Sequence, residues 1–472
     1  MNEQISNSTN SSSRNRSTQS KNSPQGITAI SVKGYKSIRD ETKLTIAPLT
    51  ILAGANSSGK SSLIQPLLLM KQTLEATYDP GALLLNGPNL KFTAVEQLFF
   101  KKTSKQDKKS FELGLEVEGN KWMSCIFQPN PKKLDLASIT YQSDQFNATF
   151  SPDMNREKIL DALPNEIRDF YLIFMGQIHE QAIELEEDHR PTSEDLVLKV
   201  IRNRCFFEIG LFKNKPSKFK VVSNDILSAG FKEQIQSIIH VPGLRGNPER
   251  AYRMTAISDQ FPGTFEAYVA SVVNHWQVTS SKELNQLNHF LQVLGLTSKI
   301  ESKEINDTQV ELTVGRLPCG SNQKITRKDM VSIADVGFGV SQTLPVLVAL
   351  LVAEPGQLVY VEQPEIHLHP RAQVALAEVF AEAIRRGVRV IVETHSELFL
   401  LGIQSLVAEG KLPADRVMLH WFTRQIDGST HVSSADLDET GAFGEWPQDF
   451  GEVSLGIQNR YLTAAEAKLW GK

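Results

Sequence analysis

The residues best suited to chemistry are Gly54-Ala-Asn56-Ser57-Ser58-Gly59-Lys60-Ser61, with Ser62 following. They match the spacing GxxxxGK[ST] at every fixed position. Glycines let the backbone curl so that successive N–H groups point inward at phosphate oxygens. The start of the next helix adds its partial positive charge, Lys60 reaches the β and γ phosphates, and Ser61 offers a hydroxyl to Mg²⁺. The apolar run Leu49–Ala53 leads into the loop, and a helical stretch from Ser61 to about Thr77 leads out. A strand, a glycine-rich turn and a helix form the context in which this loop holds ATP.

Such a site needs an acid at the end of a neighbouring buried strand. Leu358-Val-Tyr-Val-Glu362 supplies one, which makes Glu362 the magnesium-side acid beside Ser61. Gln363, Pro364 and Glu365 follow, then Ile366-His367-Leu368-His369-Pro370. A second buried strand, Arg389–Glu393, ends in Thr394-His395-Ser396, which sets His395 at a strand edge where it can touch the γ-phosphate or an attacking water. Gly337, Gly339, Ser341 and Gln342 precede an apolar helix and make a second anion-binding cup. One nucleotide rarely needs two cups in one chain, so this one is expected to close over ATP bound by a second copy.

Positioning these groups requires a sheet. Ile27–Val32 and Leu44–Ile46 alternate apolar and polar residues, and Leu49–Ala53 is nearly all apolar, as in a central strand. Phe111 onward alternates, turns at Gly119-Asn120 and returns as Trp122–Phe127, a hairpin. After a strand over Thr308–Val314, the spacing predicts helix 341–353, strand 358–362, helix 371–386, strand 388–392, helix 396–409 and strand 416–421. Strands alternating with helices mean a parallel sheet covered on both faces. The expected divisions are a disordered tail over 1–25, one half of the core over 26–130, a mainly helical insertion over 131–300 and the other half over 301–472. Ile167–Glu187 has helical spacing without the sustained heptads of an extended coiled coil.

The 472 residues are 40% hydrophobic and 22% charged, the profile of a soluble globular protein. A net charge of −4 provides no global basic field for nucleic acid. Cys125, Cys205 and Cys319 form no CxxC pair, which fits a reducing cytosol. No apolar run reaches membrane-helix length, so no membrane partner is expected.

Taken together, the 54–61 loop, the 337–342 segment, EQPEIHLHP at 362–370 and ETHSE at 393–397 resemble the ABC-type ATPases of the OLD and SMC-like branch. Val32–Ile38 resembles that family's leader strand, which approaches the nucleotide. Asp436–Phe450 resembles the tail of its stand-alone bacterial AAA-type members, and Arg245–Arg250 another of their segments. The resemblance implies an α/β fold, a split ABC-type P-loop ATPase head with a mixed or parallel sheet. It also implies a head-to-tail homodimer, or higher homo-oligomer, with ATP and Mg²⁺ between the loop of one chain and the 337–342 cup of the other. Family members act on DNA ends, in chromosome maintenance or in antiphage defence, often beside a separate nuclease or toxin effector. A cytoplasmic ATPase controlling such an effector is the leading expectation, with direct DNA contact open. The alternatives are a non-hydrolysing nucleotide-gated scaffold and an SMC-like repair motor.

Two features depart from the expected patterns. Gln363 stands where the water-polarising Glu usually is, and an amide cannot take a proton at neutral pH. Glu365 is then the candidate base; otherwise hydrolysis is slow by design. Phe338–Gln342 replaces the transporter signature. About 75 residues follow His395, too few for a toprim nuclease. Asp436 and Asp438 read as a solvated loop, and His367 and His369 as part of a dimer-facing loop. The arginines of 245–250 either reach DNA, a partner or the nucleotide, or form structural ion pairs.

Overall fold

The computed structural model describes residues 26–101, 109–117, 119–131, 133–173, 196–213, 220–224, 226–316, 326–444, 459–466 and 468. The first elements are β1 (Ile27–Lys33), β2 (Thr42–Thr45), β3 (Leu49–Gly54), α1 (Lys60–Glu75), β4 (Phe111–Val117), β5 (Lys121–Asn130), β6 (Lys133–Ser143) and β7 (Phe146–Phe150). Next come α2 (Arg156–Ala162), β8 (Leu196–Asn203), β9 (Phe206–Lys213), β10 (Lys220–Asn224), α3 (Ile226–Gln236), β11 (Ile239–Val241) and β12 (Tyr252–Arg253). The chain continues through α4 (Val269–Val278), α5 (Lys282–Val293), β13 (Ile300–Asn306), β14 (Gln309–Gly315), β15 (Met330–Ser332) and α6 (Phe338–Val352). It closes with β16 (Leu358–Glu362), α7 (Pro370–Arg385), β17 (Arg389–Glu393), α8 (Glu397–Ala408), β18 (Val417–Arg424) and β19 (Thr430–Asp436).

The site depends on one sheet, ordered β11-β16-β17-β3-β18-β19. β11, β16, β17, β3 and β18 pair in parallel, and β19 closes the edge antiparallel. Every residue of β3 is buried, as a strand covered on both faces requires. Alternate side chains divide between two cores. Leu49, Ile51 and Ala53 join Val359, Val361, Val390 and Val392 in the core that includes α6, α7 and α8. Leu52, Tyr360, Ile391 and Phe422 face the core that includes α1 and a second, antiparallel sheet. That sheet runs β2-β1-β4-β5-β6-β7. The predicted alternation of strands and helices after residue 330 is therefore present, and the two halves of the core meet where β3 lies between β17 and β18.

The middle of the chain is different from the expectation. Among the described residues of 131–300, strands β6 to β12 lie beside helices α2 to α5, so strand and helix are mixed there. A boundary at 130 would also separate β5 from β6, which pair along their length. The period of two is present in Leu134, Leu136, Ile139 and Tyr141, all buried. Its phase slips between Leu136 and Ile139, opposite an irregularity at Ile126/Phe127 on β5, which blurs the strand pattern in the sequence. Ile167–Phe170 and the following residues to 173 are helical; 174–187 of the predicted helix lie outside the described residues. The expected tail over 1–25 lies outside them too.

A buried ion pair anchors the far end of α1. Lys71 is wholly buried, pairs with Glu75, and donates to the carbonyls of Gln236 (3.1 Å) and Phe261 (3.2 Å). Glu75 accepts the Gly263 N–H at 2.9 Å. Burial lowers the Lys71 pKa and raises that of Glu75, each opposed by the partner's charge. Breaking such a pair strands a buried charge. Lys71→Ala is therefore expected to cost about 3–5 kcal/mol in urea unfolding, whereas the apolar double replacement Lys71→Met/Glu75→Leu stays much nearer the natural protein. A single-variant cost below about 1 kcal/mol would contradict this account.

Candidate functional site

The 54–62 loop turns as its glycines predict. Gly54 has φ 138°, Ser57 φ 60° and Gly59 φ 106°. Alternation of left-handed and ordinary residues turns successive N–H groups to one side. No side chain caps the first turn of α1, so its N-terminal donors remain available to an anion. Gly59 is also required by space: a Cβ there would lie 2.3 Å from Thr430 Oγ1 and 2.7 Å from Ser37 Oγ. Thr430 in turn donates to Ser58 O at 2.6 Å, fixing the loop to β19. Lys60 folds back onto its own loop, with Nζ 3.0 Å from the carbonyls of Gly54 and Ala55. Burial lowers its pKa, and Glu393 and Glu365 pull the other way.

Beside the loop lies a cavity of about 660 Å³. Asn56, Ser57, Gly59, Lys60, Ser61 and Ser62 line it from the loop, and Gln363, Glu393 and His395 from the ends of β16 and β17. Lys36 and Ser37 of the leader also line it. Gly54 and Ser58 shape the loop from behind, and the Ser58 hydroxyl is buried without a partner.

The acid touching Ser61 is not the one expected. Ser61 Oγ donates to Glu393 Oε2 at 3.0 Å. Glu362 is the register partner of Glu393 one strand further out, and it does not line the cavity. Its oxygens are taken by His240 Nε2 (3.2 Å) and Gly243 N–H (3.1 Å). His240 stacks on Tyr360, with ring centroids 5.3 Å apart, and its other nitrogen meets Asn89. Burial raises the Glu362 carboxyl, but the His240 contact, the Gly243 N–H and Tyr360 outweigh it and hold it below its usual value. Glu393 goes the other way: burial and the nearby charge of Glu362 push it up to about 7, against Tyr360, Ser61 and Lys60. One apolar run ending in Glu looks like another, so the sequence cannot tell 358–362 from 389–393. Only strand order reveals which acid meets Ser61.

Gln363 forms the elbow between β16 and the following loop. Its φ of 44° is unusual for a residue with a side chain, and its N–H donates to Glu393 O at 2.8 Å. Glu365 is buried and off the cavity; Oε1 accepts the His395 N–H at 2.7 Å, and Oε2 has no partner. Burial raises its pKa, opposed chiefly by the His395 N–H. Burial, and then the Lys60 charge, lower the His395 pKa, so its ring is neutral at neutral pH. His369 caps α7 through the Arg371 N–H.

The 337–342 cup does not join this cavity within the chain. Gly337 is exposed, Gly339 and Ser341 half-buried, and no side chain caps α6. Gln342 is committed internally: it is buried and its Nε2 donates to the carbonyls of Arg245 (3.1 Å) and Gly246 (3.0 Å). Arg245, only 7% exposed, donates to Gln342 O, Glu362 O and Gln363 O. Arg250 pairs with Asp335 at the surface. Asp438 organises a turn through Thr440 and Ala442, and residues 445–450 of the closing segment lie outside the described residues.

This donor set fits a magnesium–polyphosphate: loop N–H groups and Lys60 for anionic oxygens, Ser61 with a carboxylate for the cation. Among the described residues no cluster of three or more His, Cys, Asp or Glu could hold a metal. Mg²⁺ commonly takes one or two protein ligands and draws the rest from phosphate and water.

Two domain families match the sequence. Residues 26–175 match "AAA ATPase domain", and residues 294–401 match "AAA domain, putative AbiEii toxin, Type IV TA system". The first contains the phosphate loop; the second contains Gly337–Gln342, Glu362–Pro370 and Glu393–Glu397. No curated protein matches the chain. Among solved structures, an SmcHead bound to the C-winged helix domain of ScpA is similar at 13% identity and TM-score 0.46, covering 88% of this chain and 98% of that one. A Pyrococcus furiosus Smc head domain, bound to the C-terminal domain of ScpA, has 13% identity, TM-score 0.42 and coverages of 87% and 96%. The SMC head domain from Thermotoga maritima has 11% identity, TM-score 0.36 and coverages of 86% and 98%. No helix among the described residues is long and apolar enough to cross a membrane.

The raised Glu393 carboxyl has a sign that can be checked. Between about pH 4.5 and 7 the folded chain keeps a proton that the unfolded chain has released. Its contribution is complete below the unfolded pKa and is lost as pH rises through the folded one. Relative to Glu393→Gln, the natural protein is expected to lose on the order of 2–3 kcal/mol of unfolding free energy across that window. Parallel pH profiles of the two proteins in urea would refute the assignment.

Proposed function

We propose that this chain, with AAA-type ATPase segments on both sides of its middle region, binds ATP with Mg²⁺ at residues 54–62 and hydrolyses it slowly. The observation that carries the reading is the meeting of Ser61 with Glu393, 332 positions away, in a cavity that Lys60 and His395 also line. Loop N–H groups and the start of α1 bind the phosphates, and Lys60 turns from its loop carbonyls to the β and γ oxygens. Ser61 and Glu393 hold Mg²⁺, with Glu362 behind them, a revision of the Ser61–Glu362 pair expected from sequence. Bound Mg²⁺ neutralises charge on the phosphate oxygens. His395, neutral, orients the γ-phosphate or the attacking water.

Slow turnover follows from Gln363, which lines the cavity where a proton acceptor is needed. Glu365 is the acceptor in reserve: its unpaired Oε2 and raised pKa suit a base, but the elbow must move to bring it to water. Gly337, Gly339 and Ser341, accessible and uncapped, complete the site on a second copy, so ATP closes a homodimer. Gln342 supports this cup from within its own chain. The dimer controls a separate nuclease or toxin effector in the bacterial cytosol, in antiphage defence. The toxin–antitoxin description of the family matched over 294–401 supports that setting. A second reading is favoured by Gln363 alone: a scaffold that ATP closes without hydrolysis.

Steady-state phosphate release separates the two. The natural protein is expected to exceed the Lys60→Ala background, Glu365→Gln to fall to it, and Gln363→Glu to gain about 10²-fold. A natural rate equal to that of Lys60→Ala selects the scaffold. Light scattering with ATP and Mg²⁺ is expected to show the mass doubling, and Lys60→Ala remaining a monomer. No change of mass with ATP removes the dimer from the proposal.

A further inference from the structure

Residues Arg245–Glu249 line a second cavity, of about 550 Å³, that shares no lining residue with the cavity beside the 54–62 loop. It opens between this segment, residues 266–269 and helix α6. Val269, Leu312, Ile333 and Leu344 give it apolar walls. Two polar atoms of its lining residues are buried without a partner: Arg245 Nε and Glu266 Oε2. Both Arg245 Nη atoms are used, on the carbonyls of Gln342, Glu362 and Gln363. Arg245 and Glu266 feel each other's charge, yet these two atoms do not bond to each other.

Buried donors and acceptors in folded proteins are almost always paired, and those left over mark a missing partner. Here a donor and an acceptor are both left over, at a cavity of ordinary ligand size whose walls are partly apolar and partly polar, with Glu249, Arg253 and Thr255 among the polar residues. Two cations, Arg245 and Arg253, against two anions, Glu249 and Glu266, leave no net charge to attract an ion. We propose that this cavity is a second ligand site, taking a small uncharged molecule with an apolar body and one amide-like edge. Its carbonyl oxygen accepts from Arg245 Nε, and its N–H donates to Glu266 Oε2.

The site also has a route to the nucleotide. The guanidinium that meets the ligand is the group that holds the carbonyls of Glu362 and Gln363, and Gln363 lines the ATP cavity in a left-handed conformation. A ligand that fixes Arg245 therefore changes nucleotide affinity, and by reciprocity the nucleotide changes ligand affinity. This coupling, unlike the binding itself, rests on the ATP reading above.

The test uses the full chain with benzamide and 2-pyridone as probes, and toluene and benzoate as comparators, followed by ligand-observed NMR. Both amides are expected to bind more tightly than either comparator. Ala267→Trp, at the rim, and Glu266→Leu, which removes the acceptor, are each expected to weaken the amides about tenfold or more. Absence of amide binding, equal binding of toluene or benzoate, or unchanged binding in Ala267→Trp overturns the site. Lys60→Ala is expected to lose a fluorescent ATP analogue while keeping benzamide, so the two sites fail separately. Saturating benzamide is expected to shift affinity for that analogue at least about twofold; no shift overturns the coupling.

Discussion

Everything at the candidate site depends on β3 lying between β17 and β18. A parallel strand delivers its C-terminal end to the same edge of the sheet as its neighbours, so this pairing puts the phosphate loop beside Glu393 and His395. Register does the rest. Leu52 pairs with Glu393 on one side and His420 on the other, and Glu362 pairs with Glu393 one strand further out. The chain spends its middle region elsewhere, apart from edge strand β11, before returning to complete the sheet. The site is thus made by long-range pairing of segments that carry little of the chemistry alone.

Two carboxylates on adjacent strand ends then set the electrostatics. Glu362 is kept ionised by His240 and the Gly243 N–H, and its charge, added to burial, drives Glu393 upward. A cation beside Ser61 would relieve that repulsion, whereas an apolar neighbour would not. Arg245 serves the same edge through backbone: it collects three carbonyls around the elbow at Gln363, where the chain takes a conformation that side chains disfavour.

The parts legible in the sequence were those encoded locally. The loop has a fixed spacing, β3 and β16 to β18 are short apolar runs, and the helices between them have clear periodicity. The contact of Glu393 with Ser61 was hidden because Val-Tyr-Val-Glu and Val-Ile-Val-Glu are the same signal, and only strand order distinguishes them. His240 sits in the three-residue strand β11, too short to show a period, yet that strand adds an edge to the parallel sheet. The β-character of 131–300 was obscured by a shift in phase within β6 and by polar residues on the exposed face. Gln342 resembled its neighbours in the cup, but burial gives it a different task.

Helix α1 begins at the phosphate loop and ends at the buried Lys71–Glu75 pair, which grips the backbone at Gln236, Phe261 and Gly263. Its 16 residues make a rod about 24 Å long, with Pro66 interrupting the hydrogen-bond ladder partway along. The loop and the middle region are therefore joined by a stiff strut with one weak point. The strut ties the loop at its start to the backbone of α3 and the 261–263 turn at its end.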